Sequence, residues 1–294
     1  MEVFYAWIAE QARSGILPAS FEYAFFVRGL IAVLLVAPLL GGMSHLVVSR
    51  RLAFFSAALG HAALTGLTIG LVLGEPINSA YGGIFGFCLL TAVAMVFVRR
   101  RSKLPPDTLI GVFLALSLGL GICLLVAVTK RFNIHQIEAV MFGSLLTVTD
   151  RDLVLLAGVG LAVGLVLCRR YNELLLDSVS PTLSRFESGR SAFNEYLFVV
   201  LLTCAIVVSL KVIGALLVEA LVVVPAAAAR NLSRSMRAYL LWSVGLALLA
   251  CVGGLFISNH LLVPTGGAIV LSVGALFFVT LAMAGVRRRG INAR

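Results

Sequence analysis

Nine apolar runs dominate this sequence, at about 24–48, 54–73, 77–98, 108–128, 152–168, 193–210, 212–229, 238–257 and 266–285. Crossing ~30 Å of hydrocarbon takes ~20 helical residues, which most of these runs supply. In lipid every backbone N–H and C=O must find its partner inside the protein, so each run has to be a helix. The sixth and seventh are parted only by Lys211, and the seventh is short. An apolar piece at 138–147 is too short to cross and reads as re-entrant. The expected fold is an all-α bundle of about nine transmembrane helices (eight to ten allowed), forming one domain over 1–294. Composition agrees: 61% of the 294 residues are hydrophobic and only 12% charged, too lopsided for a soluble chain to cover its surface.

Charge then orients the bundle. The net charge of +10 would suggest nucleic acid in a soluble protein, but here the basic residues cluster between apolar runs. Of the 23 Lys and Arg, 17 fall in segments 49–53, 99–106, 169–191, 230–237 and 286–294, on one side of a nine-span chain. The other six are Arg13, Arg28, Lys130, Arg131, Arg151 and Lys211. The positive-inside rule therefore puts the N-terminus outside and the C-terminus inside. Glu2, Glu10 and Arg13, with no basic start, argue against a cleavable signal peptide.

Several chemistries drop out. None of Lys103, Lys130 and Lys211 follows a glycine, so there is no Gly-Lys-Ser/Thr phosphate loop. No HExxH and no paired intramembrane aspartates are present, which disfavours a membrane protease. The five cysteines are scattered through or beside apolar runs and read as small hydrophobes. Gly82-x-x-x-Gly86 and Gly160-x-x-x-Gly164 each set two glycines on one helix face, better suited to internal packing than to a dimer face.

What remains is a short list of polar groups at membrane depth. An ionisable side chain there costs at least ~2.5 kcal/mol and needs a reason. His61 lies ten residues after Arg51, and Glu219 eleven before Arg230. At ~1.5 Å per residue both sit ~15 Å above the inner surface, near the midplane. An imidazole and a carboxylate at one depth can share a cation, or simply hydrogen-bond each other. Pro225, six residues after Glu219, is expected to break its helix beside such a path. His45, five residues from Arg50, reads as a solvated interfacial residue. His135, Glu138, Asp150 and Asp152 gather near one outer segment and His260 lies in another, all more in keeping with exposed loops.

The longest inner segment, 169–191, offers Asp177, Ser178 and Ser180 as helix N-caps and Pro181 for a first turn. Leu183 and Phe186 then share a face flanked by Arg185, Glu187 and Arg190. A short amphipathic helix at the inner surface fits this pattern.

These stretches together resemble the zinc/manganese/iron permease family of ABC importers, from about Tyr23 to Leu281. The resemblance is carried by Arg50-Arg51 before Ala58-Leu59-Gly60-His61-Ala62-Ala63-Leu64-Thr65-Gly66, where the family typically reads Asp-Ala-Leu-Ser-His-Ala-Ala-Leu-Pro-Gly. Met141-Phe142-Gly143-Ser144, Val212-Ile213-Gly214, Leu217-Val218, Pro225-Ala226-Ala227 and Pro264-Thr265-Gly266 follow in order. The family's Asp, four residues before its His, is Ala57 here.

The resemblance implies the membrane subunit of an ATP-driven importer for a divalent transition metal (zinc, manganese or iron), with no permanently bound cofactor. It implies a multi-pass homodimer in the bacterial plasma membrane, ATP hydrolysis by a separate cytoplasmic subunit, and an extracytoplasmic metal-binding protein. The implied metal residue is His61, by position; Glu219, which the family pattern does not supply, is the candidate substitute charge by its depth on another helix. Asp177, Ser180, Pro181, Thr182, Leu183, Phe186 and Gly189 would dock the ATPase. Two rivals stay open: a proton-coupled secondary carrier using Glu219, and an ABC importer of a non-metal or chelated substrate suited to Ala57.

Overall fold

The computed structural model describes residues 2–14, 18–76, 81–102, 104–129, 148–180 and 191–292. The apolar piece at 138–147 and the positions Pro181, Thr182, Leu183, Phe186 and Gly189 lie outside them. The described residues form ten α-helices and one 3₁₀ turn (Ala19–Glu22), with no strand. After a short α1 (Glu2–Arg13) come α2 (Ala24–Ser49), α3 (Phe55–Val72), α4 (Tyr81–Arg101), α5 (Pro106–Thr129) and α6 (Asp150–Val179). Then follow α7 (Ser191–Ile213), α8 (Ala215–Leu232), α9 (Met236–Leu261) and α10 (Thr265–Asn292). The nine from α2 to α10 are long and apolar enough to span a bilayer, as the apolar runs predict.

Burial separates inner from outer helices. The most apolar windows of α3 and α7 are each 72% buried, whereas those of α6 and α10 are 17% buried. Leu116 and Leu120 on α5, Leu161 on α6 and Leu271 and Phe278 on α10 are exposed, as a lipid-facing surface requires. One group packs α3 between α4 and α5; another packs α2 and α8 with α9 and α10. Helix α7 bridges them through α4 and α6.

Glycines set the closest approach, at positions other than the expected pairs. A Cβ on Gly86 or on Gly164 would meet nothing within 4 Å, while one on Gly82 would face the Glu75 side chain and one on Gly160 would lie 3.6 Å from the Leu39 side chain, so neither pair brings two helix backbones together. The contact instead joins Gly66 and Gly70 of α3 to Gly83 of α4, where a Cβ on Gly66 would lie 2.6 Å from the Gly83 carbonyl oxygen. Backbone touches backbone, which only small residues allow.

Three boundaries also differ from expectation. The sixth and seventh spans part at Gly214, not at Lys211: the chain turns there with φ +85°, a conformation glycine adopts freely. Pro225 does not break its helix, since α8 runs through it from Ala215 to Leu232. Its missing N–H removes one ladder bond within a buried stretch of the helix. Finally, α6 continues past the expected inner boundary to Val179. Asp177 and Ser178 therefore lie in its last turn, not at a helix start, and Ser180 is its C-cap; the short helix expected after them falls outside the described residues. At its other end the N-cap of α6 is Thr149, which forms a reciprocal capping box with Asp152.

Candidate functional site

Polar side chains on the membrane helices fall into two kinds. Most are saturated by neighbours. At one end of the bundle Asp150 takes Arg28 (2.9 Å) and the Tyr5 hydroxyl (3.0 Å). Asp152 takes the Tyr81 hydroxyl at 2.6 Å and Lys211 at 3.7 Å, and the Lys211 ammonium also lies 3.5 Å from the Tyr81 ring centroid. These contacts tie α6 to α2, α4 and α7, so neither aspartate stands open to receive a cation.

At the opposite end, the Arg50 guanidinium sits 3.2 Å from Asp177, donates to the Leu174 carbonyl at 2.9 Å, and lies 4.4 Å from the Phe198 ring centroid. Ser191 donates to the other Asp177 oxygen at 2.7 Å. Both charged side chains are buried, at 6% and 7% exposure. Asp177, expected on an exposed docking face, is instead an internal tie between α2, α6 and α7. Nearby, Glu195 pairs with Arg99 and Arg100, and Glu173 with Arg170.

His45 also departs from expectation. It is fully buried rather than solvated, with the Tyr171 hydroxyl 3.2 Å from Nε2 and the Tyr239 ring edge-on. A histidine so enclosed is packing material within α2, α6 and α9.

Others have unpartnered atoms: the buried side chains of Ser56, Asn194 and Ser209 and the Tyr239 hydroxyl make no hydrogen bond among the described residues, and two ionisable groups, Glu219 and His61, stand without one as well. The Glu219 carboxylate reaches across from α8 to α3, its Oε1 3.3 Å from where a Cβ on Gly60 would stand. His61 is the next residue on α3. Depth counted from the flanking arginines therefore brings two distant segments to one level, and the contact bears that out. Both side chains are half-buried. Neither the His61 ring nor the Glu219 carboxylate has a hydrogen-bond or ion-pair partner among the described residues, so no mutual His–Glu bond locks them. Ala57, one turn before His61, is half-buried on the same face. Glu219 thus differs from Asp150, Asp152, Asp177, Glu173 and Glu195, each of which has a basic neighbour.

Chemically, an unclaimed imidazole and carboxylate offer one N and up to two O donors, suited to a borderline divalent ion. No three His, Cys, Asp or Glu side chains gather into a metal-holding group among the described residues. The sequence could not reveal what Gly60 contributes to this pair, because that depends on which helix lies opposite.

Comparisons with known proteins converge on one kind of molecule. The model of the ABC 3 transport family matches residues 22–284. The manganese import system permease protein ScaB of Streptococcus parasanguinis is 30% identical over 272 residues, 92% of this chain and 95% of that protein. The high-affinity zinc uptake system membrane protein ZnuB of Haemophilus influenzae is 30% identical over 264 residues, covering 89% and 97%. Among solved structures, PsaBC from Streptococcus pneumoniae in complex with Fab superposes with a TM-score of 0.76 at 26% identity over 95% of both chains. A metal-chelate type ABC transporter in an inward-facing conformation shares the fold, with a TM-score of 0.69 at 14% identity. With nearly every membrane helix inside the match, this multi-pass membrane protein belongs to the ABC 3 transport family, as a permease subunit.

Proposed function

We propose that this chain imports a divalent transition metal ion, manganese or zinc, by passing it between His61 and Glu219. The observation that carries the reading is the pair itself: two ionisable side chains on different helices, at one level, unclaimed by any described neighbour. A cation stripped of water needs compensating charge in a medium where desolvation costs many kcal/mol. Glu219 supplies that charge through oxygens that suit manganese, and His61 supplies a nitrogen ligand that suits zinc. The relatives named for manganese and zinc support the substrate class.

The pathway lies between two copies of the chain. Half-buried His61 and Glu219 would otherwise meet lipid, at a cost such side chains avoid by facing a bundle interior or a partner. The N-terminus lies outside, following the basic residues. The end of the bundle holding the Arg50–Asp177 tie then faces the cytoplasm. There the segment 176–190 meets a separate ATP-binding subunit, with Ser180, Pro181, Thr182, Leu183, Phe186 and Gly189 as contacts and Asp177 holding the segment's root. An extracytoplasmic binding protein delivers the ion at the other face. The chain does no covalent chemistry.

The test is uptake in proteoliposomes holding the permease and its ATP-binding subunit. Import of Mn²⁺ or Zn²⁺ should require ATP and survive a protonophore, and His61→Ala should abolish it while leaving the protein folded. Uptake that collapses with the protonophore and ignores ATP would replace this reading with a proton-coupled carrier.

A further inference from the structure

We propose that Gly60 is a positioning residue for the cation site: its missing side chain is the space the Glu219 carboxylate occupies beside His61. This rests on the reading of His61 and Glu219 as the ligand pair.

Helix α3 carries glycines at 60, 66 and 70, each of which costs about 1 kcal/mol against alanine in a helix interior. Gly66 is offset by its approach to the backbone of α4, where a Cβ would lie 2.6 Å from a carbonyl oxygen and 2.9 Å from the Cα of Ile84. Gly60 is different in kind. Its surroundings within 4 Å hold no neighbouring backbone; the nearest atoms to a Cβ there are Glu219 Oε1 at 3.3 Å and Ala215 Cβ at 3.6 Å. Ala215 and Glu219 stand one turn apart on α8, so a small residue and an acid form the ridge that covers Gly60. Packing between helices does not demand glycine at 60. A Cβ there would stand 3.3 Å from the carboxylate, tighter than ordinary contact, so the carboxylate would have to give by a few tenths of an ångström.

The consequence is specific to where the charge comes from. Position 57 precedes 60 by three residues and 61 by four, so a carboxylate at 57 would reach the same spot from within α3. Here 57 is alanine, 60 is glycine, and the acid arrives from α8. The cation is then shared between two helices, and any movement of α8 away from α3 removes the charge and frees the ion. A charge carried on α3 itself would lack that release.

The experiment uses the full-length permease in nanodiscs for Mn²⁺ binding, read by the free-Mn²⁺ electron paramagnetic resonance signal. ATP-driven uptake is measured in proteoliposomes with the ATP-binding subunit. Gly60→Ala and Gly60→Ser should weaken Mn²⁺ binding and raise the KM for uptake about tenfold, equivalent to 1.4 kcal/mol, with kcat and melting temperature near wild type. Adding Ala57→Asp to either variant should restore the KM, because the charge then comes from α3. Normal binding in both Gly60 variants, with binding lost in Glu219→Gln, would overturn the inference and leave the ligand pair standing. Normal binding in Glu219→Gln as well would remove the pair itself. If the Gly60 variants instead melt early and Ala57→Asp restores nothing, Gly60 is a packing glycine and the proposal fails.

Discussion

The buried tie of Arg50, Asp177 and Ser191 and the half-buried His61 and Glu219 are similar chemistry in opposite settings. Both bring charged or ionisable groups from different helices together. In the first, each carboxylate oxygen and two guanidinium nitrogens have partners, and the side chains are sealed at 6% and 7% exposure. In the second, Glu219 meets α3 at Gly60, the residue before His61, and both side chains stay half-buried. Breaking the first should cost folding, and breaking the second should cost only transport.

That contrast can be attacked from either side. The largest effect on stability belongs to the tie. Asp177→Asn or Arg50→Met leaves a buried charge unmatched, which typically costs about 3–5 kcal/mol. Either should lower the melting temperature in detergent steeply and cut the amount of protein in the membrane. The exchange Arg50→Asp with Asp177→Arg should recover part of it; wild-type melting in the single variants would show that the tie holds nothing.

Next is the glycine contact. Gly66→Leu drives a side chain into the α4 backbone at Gly83, and overpacking of this kind costs typically about 1–3 kcal/mol. A melting curve on this variant, set beside Gly86→Leu, checks it: the second should melt like wild type because nothing lies within 4 Å of a Cβ there. Equal melting of the two would mean α3 and α4 do not meet at Gly66. The smallest effect should come from Tyr81→Phe. It removes one hydrogen bond to an aspartate that keeps Thr149 and Lys211, so the net loss should be on the order of 0.5–1 kcal/mol. Protein level and uptake should change little, whereas abolished uptake would turn this cluster into a gate.

Much of the fold was legible because bilayer thickness imposes a length that no other environment does. All nine spans emerge from apolar runs of the right size. The common depth of His61 and Glu219 emerges too, because each can be counted from a nearby arginine. The illegible parts are those decided by neighbours far along the chain. Lys211 interrupts the apolar pattern, yet Gly214 makes the turn, since backbone freedom outweighs charge at a reversal. Pro225 looks like a break, yet α8 continues through it. Spacing alone cannot show that Gly66 and Gly70 meet Gly83, while Gly86 and Gly164 meet nothing. Nor can it show that Asp177 is claimed by an arginine in α2's C-cap, or that His45 is enclosed by tyrosines from α6 and α9.

The central claim is that Glu219 supplies the charge that a carboxylate at position 57 would otherwise carry. The most direct measurement is ATP-driven uptake of Mn²⁺ and Zn²⁺ by Glu219→Gln and by Ala57→Asp/Glu219→Gln, each compared with wild type at matched protein level and melting temperature. Glu219→Gln hardly changes volume and should cut uptake by about tenfold or more, or at least 1.4 kcal/mol. Restoring an acid one turn before His61 should recover a substantial part of it. Wild-type uptake in Glu219→Gln alone would contradict the account and leave the carboxylate with a structural role.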